Sequence, residues 1–221
     1  MSCAKKPRCS RIVSFSWLLV SKALTLSLSW SLQFFELPDL EAWIDDMQFP
    51  SKLVAGERRA ALQGWLPNKS FELLYRATEH GFGANHFHER CNNRGATVTI
   101  VRDSVGNLFG GYTSVPWRSC NSYSNDPNAF LFSLVNPSNT GPVRVPRSGN
   151  GNGNDVYDHA NNGPTFGGNH DLCIATNSNA GASSQVNIGF SYQVQPQGAH
   201  FFTGNKAFQV AEIEVLHVKD A

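Results

Sequence analysis

From Phe71 onward the chain breaks into short runs rich in β-branched and aromatic residues, and this punctuation constrains the fold more than any other feature. The runs are FELLYRA (71–77), TVTIVRD (97–103), NLFGGYTSV (107–115), AFLFSLV (129–135), DLCIAT (171–176), QVNIGFSY (185–192) and FQVAEIEVLHV (208–218). Asp, Asn, Gly and Pro clusters separate most of them. The second alternates Val98 and Ile100 with Thr97 and Thr99, while the last slips by one between Ala211 and Ile213, as a β-bulge would. Residues 103–107 join two runs and read as a hairpin loop. Many short strands with few helical interruptions predict an α+β, mainly β chain: a two-sheet antiparallel β-sandwich flanked by short helices.

Two helices are expected. Leu53, Val54, Ala60, Ala61, Leu62 and Trp65 fall close to helical spacing, with Ser51 placed to cap the start and Pro67 to end the run. A second short helix fits 83–92. Upstream, residues 1–48 form a different kind of sequence. Residues 1–35 hold Lys5, Lys6, Arg8, Arg11 and Lys22 with no acid, many serines and an apolar stretch, followed by the acidic-aromatic connector PDLEAWIDDMQF (38–49). Signal peptide, organelle transit segment and membrane-associating helix all compete for 1–35. A transmembrane span is disfavoured, because reaching about 20 residues requires including Lys22 and several serines. The expected division is therefore 1–48 as an extension, targeting or disordered, and 49–221 as the domain.

Composition narrows the function classes. The net charge is +1, and Lys and Arg do not cluster in the body, so no nucleic-acid footprint is present. The five cysteines are odd in number and widely spaced, without a CxxC pair, which excludes a zinc ribbon or thioredoxin-like motif. Cys91, Cys120 and Cys173 read as reduced thiols of a cytoplasmic protein. RSGNGNGND (147–155) reads as a flexible surface loop and not as a phosphate cradle, since no Lys or helical pattern follows it.

The densest chemistry is His80, His86, His88 and Cys91. On a helix, His86 and His88 lie about 200° apart and cannot chelate one ion, whereas His88 and Cys91, three apart, can share it. Two ligands do not make a tight zinc site. Cys91 with His88, or Cys120 or Cys173 with His170, is a candidate thiolate pair, but nothing supplies an orienting third group. The favoured expectation puts Phe87 and Cys91 in the core and His86 and His88 on the surface or helix flank. In GPTFGGNHDL (163–172), glycines including Gly167 and Gly168 read as a turn needing positive φ, with His170 and Asp171 as a polar pair at an exposed corner. Glu212 and Glu214 share one face of the last strand, read as the solvated face of an edge strand; catalysis by the pair is not expected.

LLYRATEHGFGANHFHERC, TVTIVRD…GNLFGGYTS, DPNAFLFSL, GPTFGGNHDL and FQVAEIEVLHV, in that order across about residues 49–219, resemble the TLDc domain of the oxidation-resistance proteins. The resemblance implies a β-sandwich with flanking helices, no enzymatic activity and no cofactor. It also implies a protein partner, the vacuolar proton-pumping ATPase, and a part in protection from oxidative stress. Gly81, Phe87, His88, Cys91, Gly110, Gly111, Phe130, Phe132, Gly167, Gly168, His170, Asp171, Glu212 and Glu214 are the expected binding or structural positions, and the resemblance adds that Glu214 matches a recurrent glutamate. No nucleic acid is expected as partner, and a membrane only indirectly or through the N-terminal segment. The competing readings are a metal- or thiol-dependent enzyme using His88 and Cys91, and a carbohydrate-binding β-sandwich suggested by the Asn, Gly and aromatic content.

Overall fold

The computed structural model describes residues 49–221; the expected N-terminal extension and its targeting signals lie outside the described residues. In chain order the elements are α1 (Gly56–Trp65), β1 (Lys69–Arg76), α2 (Ala77–His80), α3 (Ala84–Cys91), β2 (Thr97–Asp103), β3 (Leu108–Thr113), β4 (Ser122–Ser124), β5 (Phe130–Val135), β6 (Val143–Pro146), β7 (Val156–Asp158), β8 (Asn162–Phe166), β9 (Leu172–Ala175), β10 (Ser184–Val186), β11 (Ala207–Phe208) and β12 (Val210–Asp220). They build two six-stranded sheets, ordered β1-β12-β2-β3-β5-β6 and β11-β10-β9-β8-β7-β4, and the strand pairings are antiparallel. The expected sandwich is present. No helix among the described residues is long and apolar enough to cross a membrane.

The first sheet is buried on both faces, which explains why TVTIVRD and FLFSLV are almost continuously buried instead of alternating. Val101, Phe109, Leu131, Ile213 and Val215 on one face meet Phe166, Leu172, Ile174, Val186 and Tyr192 of the second sheet and its loops. On the other face, Val98, Ile100, Phe130, Phe132 and Leu216 pack beneath Val54, Leu62 and Leu66, with Phe49 and Trp65 at the margin. Helix α1 and the strip before it thus form a third layer.

Local sequence explains most turns. In the β2–β3 hairpin, Asp103 Oδ1 accepts from the Val105 and Asn107 amides at 3.1 and 2.8 Å, and Gly106 supplies φ +100°. The bulge expected near Ala211 lies between Val210 and Glu212. Helix α3 occupies Ala84–Cys91 and turns Phe87 and Cys91 inward as expected. Its first amide is met by Thr176 Oγ1 at 3.0 Å.

Three local readings need correction. Ser51 does not cap α1, which starts at Gly56 after Ala55. Ser51 Oγ instead accepts from the Leu53 and Val54 amides in a turn of its own, and the φ of +54° at Gly56 stops helix from extending back to it. The 163–172 segment is not all turn, since Asn162–Phe166 forms β8. The 147–155 loop is held at its base by an Arg147 Nε–Asp155 Oδ1 ion pair of 2.6 Å, and Gly151 packs against Ser191.

Candidate functional site

Glu214 is fully buried, and Glu212 is 6% exposed. The expectation of a solvated edge face is therefore wrong. β12 lies between β1 and β2, so β1 is the edge, and residues 50–52 close over Glu214. Arg76 Nε and Nη2 both reach Glu214 Oε1 at 2.8 Å. The Lys52 amide donates to the same oxygen at 3.0 Å, and Ser51 Oγ donates to Oε2 at 2.5 Å. Arg76 also binds Glu79, which pairs with Lys52 Nζ at 2.8 Å; the hydrogen bonds from Lys52 and Arg76 hold the Glu79 carboxyl at about 2. Glu212 receives the Thr78 amide at 3.1 Å, the Thr78 hydroxyl and the Ile213 amide. The two carboxylates tie the strip before α1, the start of α2 and the bulge onto β12.

His88 is also buried, at 7% exposed, so its placement on the flank is corrected. Its Nε2 donates to the carbonyls of His159 and Asn162 at 3.1 and 3.0 Å, and Nδ1 meets Asn92 Oδ1 at 3.0 Å. The ring latches α3 to the turn before β8, because those carbonyls need a donor there. Cys91 is not among its partners. Burial pushes the Cys91 thiol well above its ordinary range, which keeps it protonated. His86 packs against Gly81, whose φ of +97° and missing Cβ make room for the ring. Among the described residues, no three His, Cys, Asp or Glu side chains converge as a metal site requires.

The 167–171 corner differs from expectation in the same direction. Asp171 is fully buried, not exposed. Its carboxylate accepts the amides of Gly189, Phe190 and Ser191 at 2.7, 2.9 and 3.0 Å, donors that would otherwise be orphaned. Gly167 has φ +88°, and a Cβ there would overlap this carboxylate. A Cβ on Gly168 would come within 2.8 Å of Asn154 and Phe190. His170, φ +55°, stacks on Tyr157 at 4.9 Å, away from both Cys120 and Cys173 as bonding partners. Burial, then the neighbouring His159, lowers its pKa. Burial raises the pKa of the Cys173 thiol, while Cys120 is exposed beside Ser122 and Asp158.

Gly110 and Gly111 mark close approaches inside the sandwich. A Cβ on Gly110 would overlap the Thr99 carbonyl, and one on Gly111 would come within 2.7 Å of Phe166 from the opposite sheet. Phe130 and Phe132 are buried beside Trp65, at 6.3 and 5.8 Å. Sequence reasoning missed Arg76, Asp126 and Asp155. Asp126 accepts from Thr113, Ser114 and Asn128, and Asp155 accepts the Asp126 amide at 2.9 Å. The Asp-Pro-Asn turn at 126–128 was the one available signal.

The motif residues are thus assembled into a packed scaffold, in the order in which the sequence blocks occur. The MTOR-associated protein MEAK7 of Danio rerio is 33% identical over 64 residues, 29% of this chain and 14% of that protein. Its Gallus gallus counterpart is 31% identical over the same length and the same shares. The chain therefore matches only a small part of these curated relatives. The TLDc domain family, in contrast, matches residues 47–219, nearly all of the described sandwich, and this chain belongs to it.

Proposed function

We propose that this protein is a non-enzymatic, cytoplasmic binding module that engages the vacuolar proton-pumping ATPase and contributes to tolerance of oxidative stress. Residues 49–221 are its working domain in this reading, and 1–48 an extension. One observation carries it. The side chains with chemical potential in the family motifs, His88, Cys91, Asp171, Glu212 and Glu214, are spent on holding backbone and packing core, so the motif blocks serve to make a rigid scaffold. A rigid scaffold suits a pre-organised surface for a protein partner. The name of the two relatives favours a second partner, mTOR, for which association is stated of those proteins.

A pull-down from matched lysate tests both. Beads carrying the full chain should enrich subunits of the ATPase over beads carrying an unrelated β-sandwich. Absence of enrichment overturns the ATPase reading, and enrichment of mTOR in its place supports the second. Metal analysis and peroxide turnover on the purified protein address the enzyme alternative: stoichiometric metal or catalytic turnover would overturn the non-enzymatic reading.

A further inference from the structure

We infer that the groove between the end of α1 and the β3–β5–β6 side of the first sheet binds a linear peptide segment of a partner protein, one that carries an aromatic side chain flanked by carboxylates. The inference rests on the binding-module reading and adds the chemistry of the partner. The groove has a volume of about 450 Å³, enough for one large side chain with adjoining backbone. Its floor is aromatic. Tyr112 and Phe130 lie 5.2 Å apart, and Trp65 meets Phe130 nearly edge-on at 6.3 Å. Pro67 and Pro127 line its sides.

The side chains lining the groove carry positive charge only, with Asp220 beside it as the partner of Lys69. Lys69 and Arg144 line it, and no Asp or Glu does. Arg144 is exposed, and its guanidinium sits 4.3 Å above the Phe130 ring. The cation–π contact holds the guanidinium in place while its N–H groups point to no carboxylate among the described residues. A planar donor fork fixed over an aromatic floor is matched by a carboxylate next to an aromatic ring. Lys69 pairs with Asp220, whose side chain is 92% exposed, so an incoming carboxylate can replace that partner. A basic peptide would meet the Arg144 charge, which has no carboxylate partner among the described residues, and be disfavoured. Peptide, as opposed to a small anion, is favoured by where Arg144 stands. It lies on β6, the edge strand of the first sheet; the Gln193 amide takes that edge at Pro146, 2.9 Å away, so an extended chain can meet it only at the Val143–Arg144 end.

Fluorescence polarisation with a labelled synthetic peptide, EDWEDF, and the full chain tests this. Saturable binding is expected, weakened about tenfold or more by Arg144→Glu and by Trp→Ala in the peptide, and weakened again by added salt. Lys69→Glu should weaken it in the same direction. Arg144 is exposed and Lys69 half-buried opposite Asp220, and circular dichroism with a cooperative thermal transition shows that both variants fold. No binding by the wild-type chain overturns the inference. So does binding indifferent to Arg144→Glu or to loss of the Trp, or equal binding of polyglutamate or of phosphatidylserine vesicles. If the peptide fails while the ATPase pull-down succeeds, the groove is wrong and the binding-module reading stands; the reverse pattern removes the ATPase and leaves the groove.

Discussion

Glu214 and Arg76 form the most consequential pair at the level of single residues. Both are buried, and each is the other's main countercharge. Removing Arg76 leaves Glu214 as an uncompensated buried charge, which costs about 3–5 kcal/mol; removing Glu214 still leaves Arg76 paired with Glu79 and should cost less. Arg76→Ala should therefore lower stability by about that much in urea unfolding, and Glu214→Gln, which keeps the shape, by less. An unchanged midpoint for Arg76→Ala would refute the latch. The cysteines make a separate prediction. Iodoacetamide should label exposed Cys120 in the native protein and reach Cys91 only in denaturant, as peptide mass mapping can show. The inward face of Cys91 was legible from its helical offset from Phe87. The burial of His88 was not, because the two carbonyls that hold it belong to a turn more than 70 residues away, and no local pattern announces them. Asp171 was misread for a related reason: a polar residue beside glycines looks exposed until the amides that need it are in place.

Among the elements, length decided what could be read. The strands beginning at Lys69, Thr97, Leu108, Phe130 and Val210 carry enough β-branched and aromatic residues to declare themselves. β4, β7 and β11 are two or three residues long and exist because a neighbour pairs with them. β8 was hidden by Gly163 and Pro164, which read as turn residues. The strip before α1 was misread because Ser51 answers to Glu214 on the last strand and not to the helix. Ser51→Ala should loosen that strip, so trypsin should cut after Lys52 sooner than in the wild type; equal cleavage rates would sink the idea. The close packing of β3 makes the opposite kind of prediction. Gly110→Ala drives a methyl into the Thr99 carbonyl and should cost about 3 kcal/mol or more, seen as insoluble expression or a sharply lower Tm.

For the whole molecule, acid should act in two stages. His170 and His217 both have pKa values lowered in the fold, chiefly by burial, so the folded state resists protonating them. Their contribution is complete above the unfolded value of 6.5 and declines as pH falls below it. Glu79 is lowered from 4.5 to about 2, and Glu72 and Asp220 are lowered by their lysine partners. Their contribution is present above the unfolded carboxyl range and is lost as pH falls through the folded values. Tm should decline gently from about pH 6.5 and more steeply below about 4.5, and His170→Gln should flatten the first part only. A Tm flat from neutral to pH 5 in the wild type would count against this order. The position of β12 has a different kind of consequence. The strand paired on either side by β1 and β2 is synthesised more than a hundred residues after them, and Lys69 finds Asp220 as its cross-strand neighbour. A ribosome that has delivered everything up to Phe208 has made two β-strands whose shared partner does not yet exist. The nascent first sheet must wait with those edges bare, so refolding from denaturant is expected to be slow and prone to aggregation, as stopped-flow fluorescence and light scattering would show.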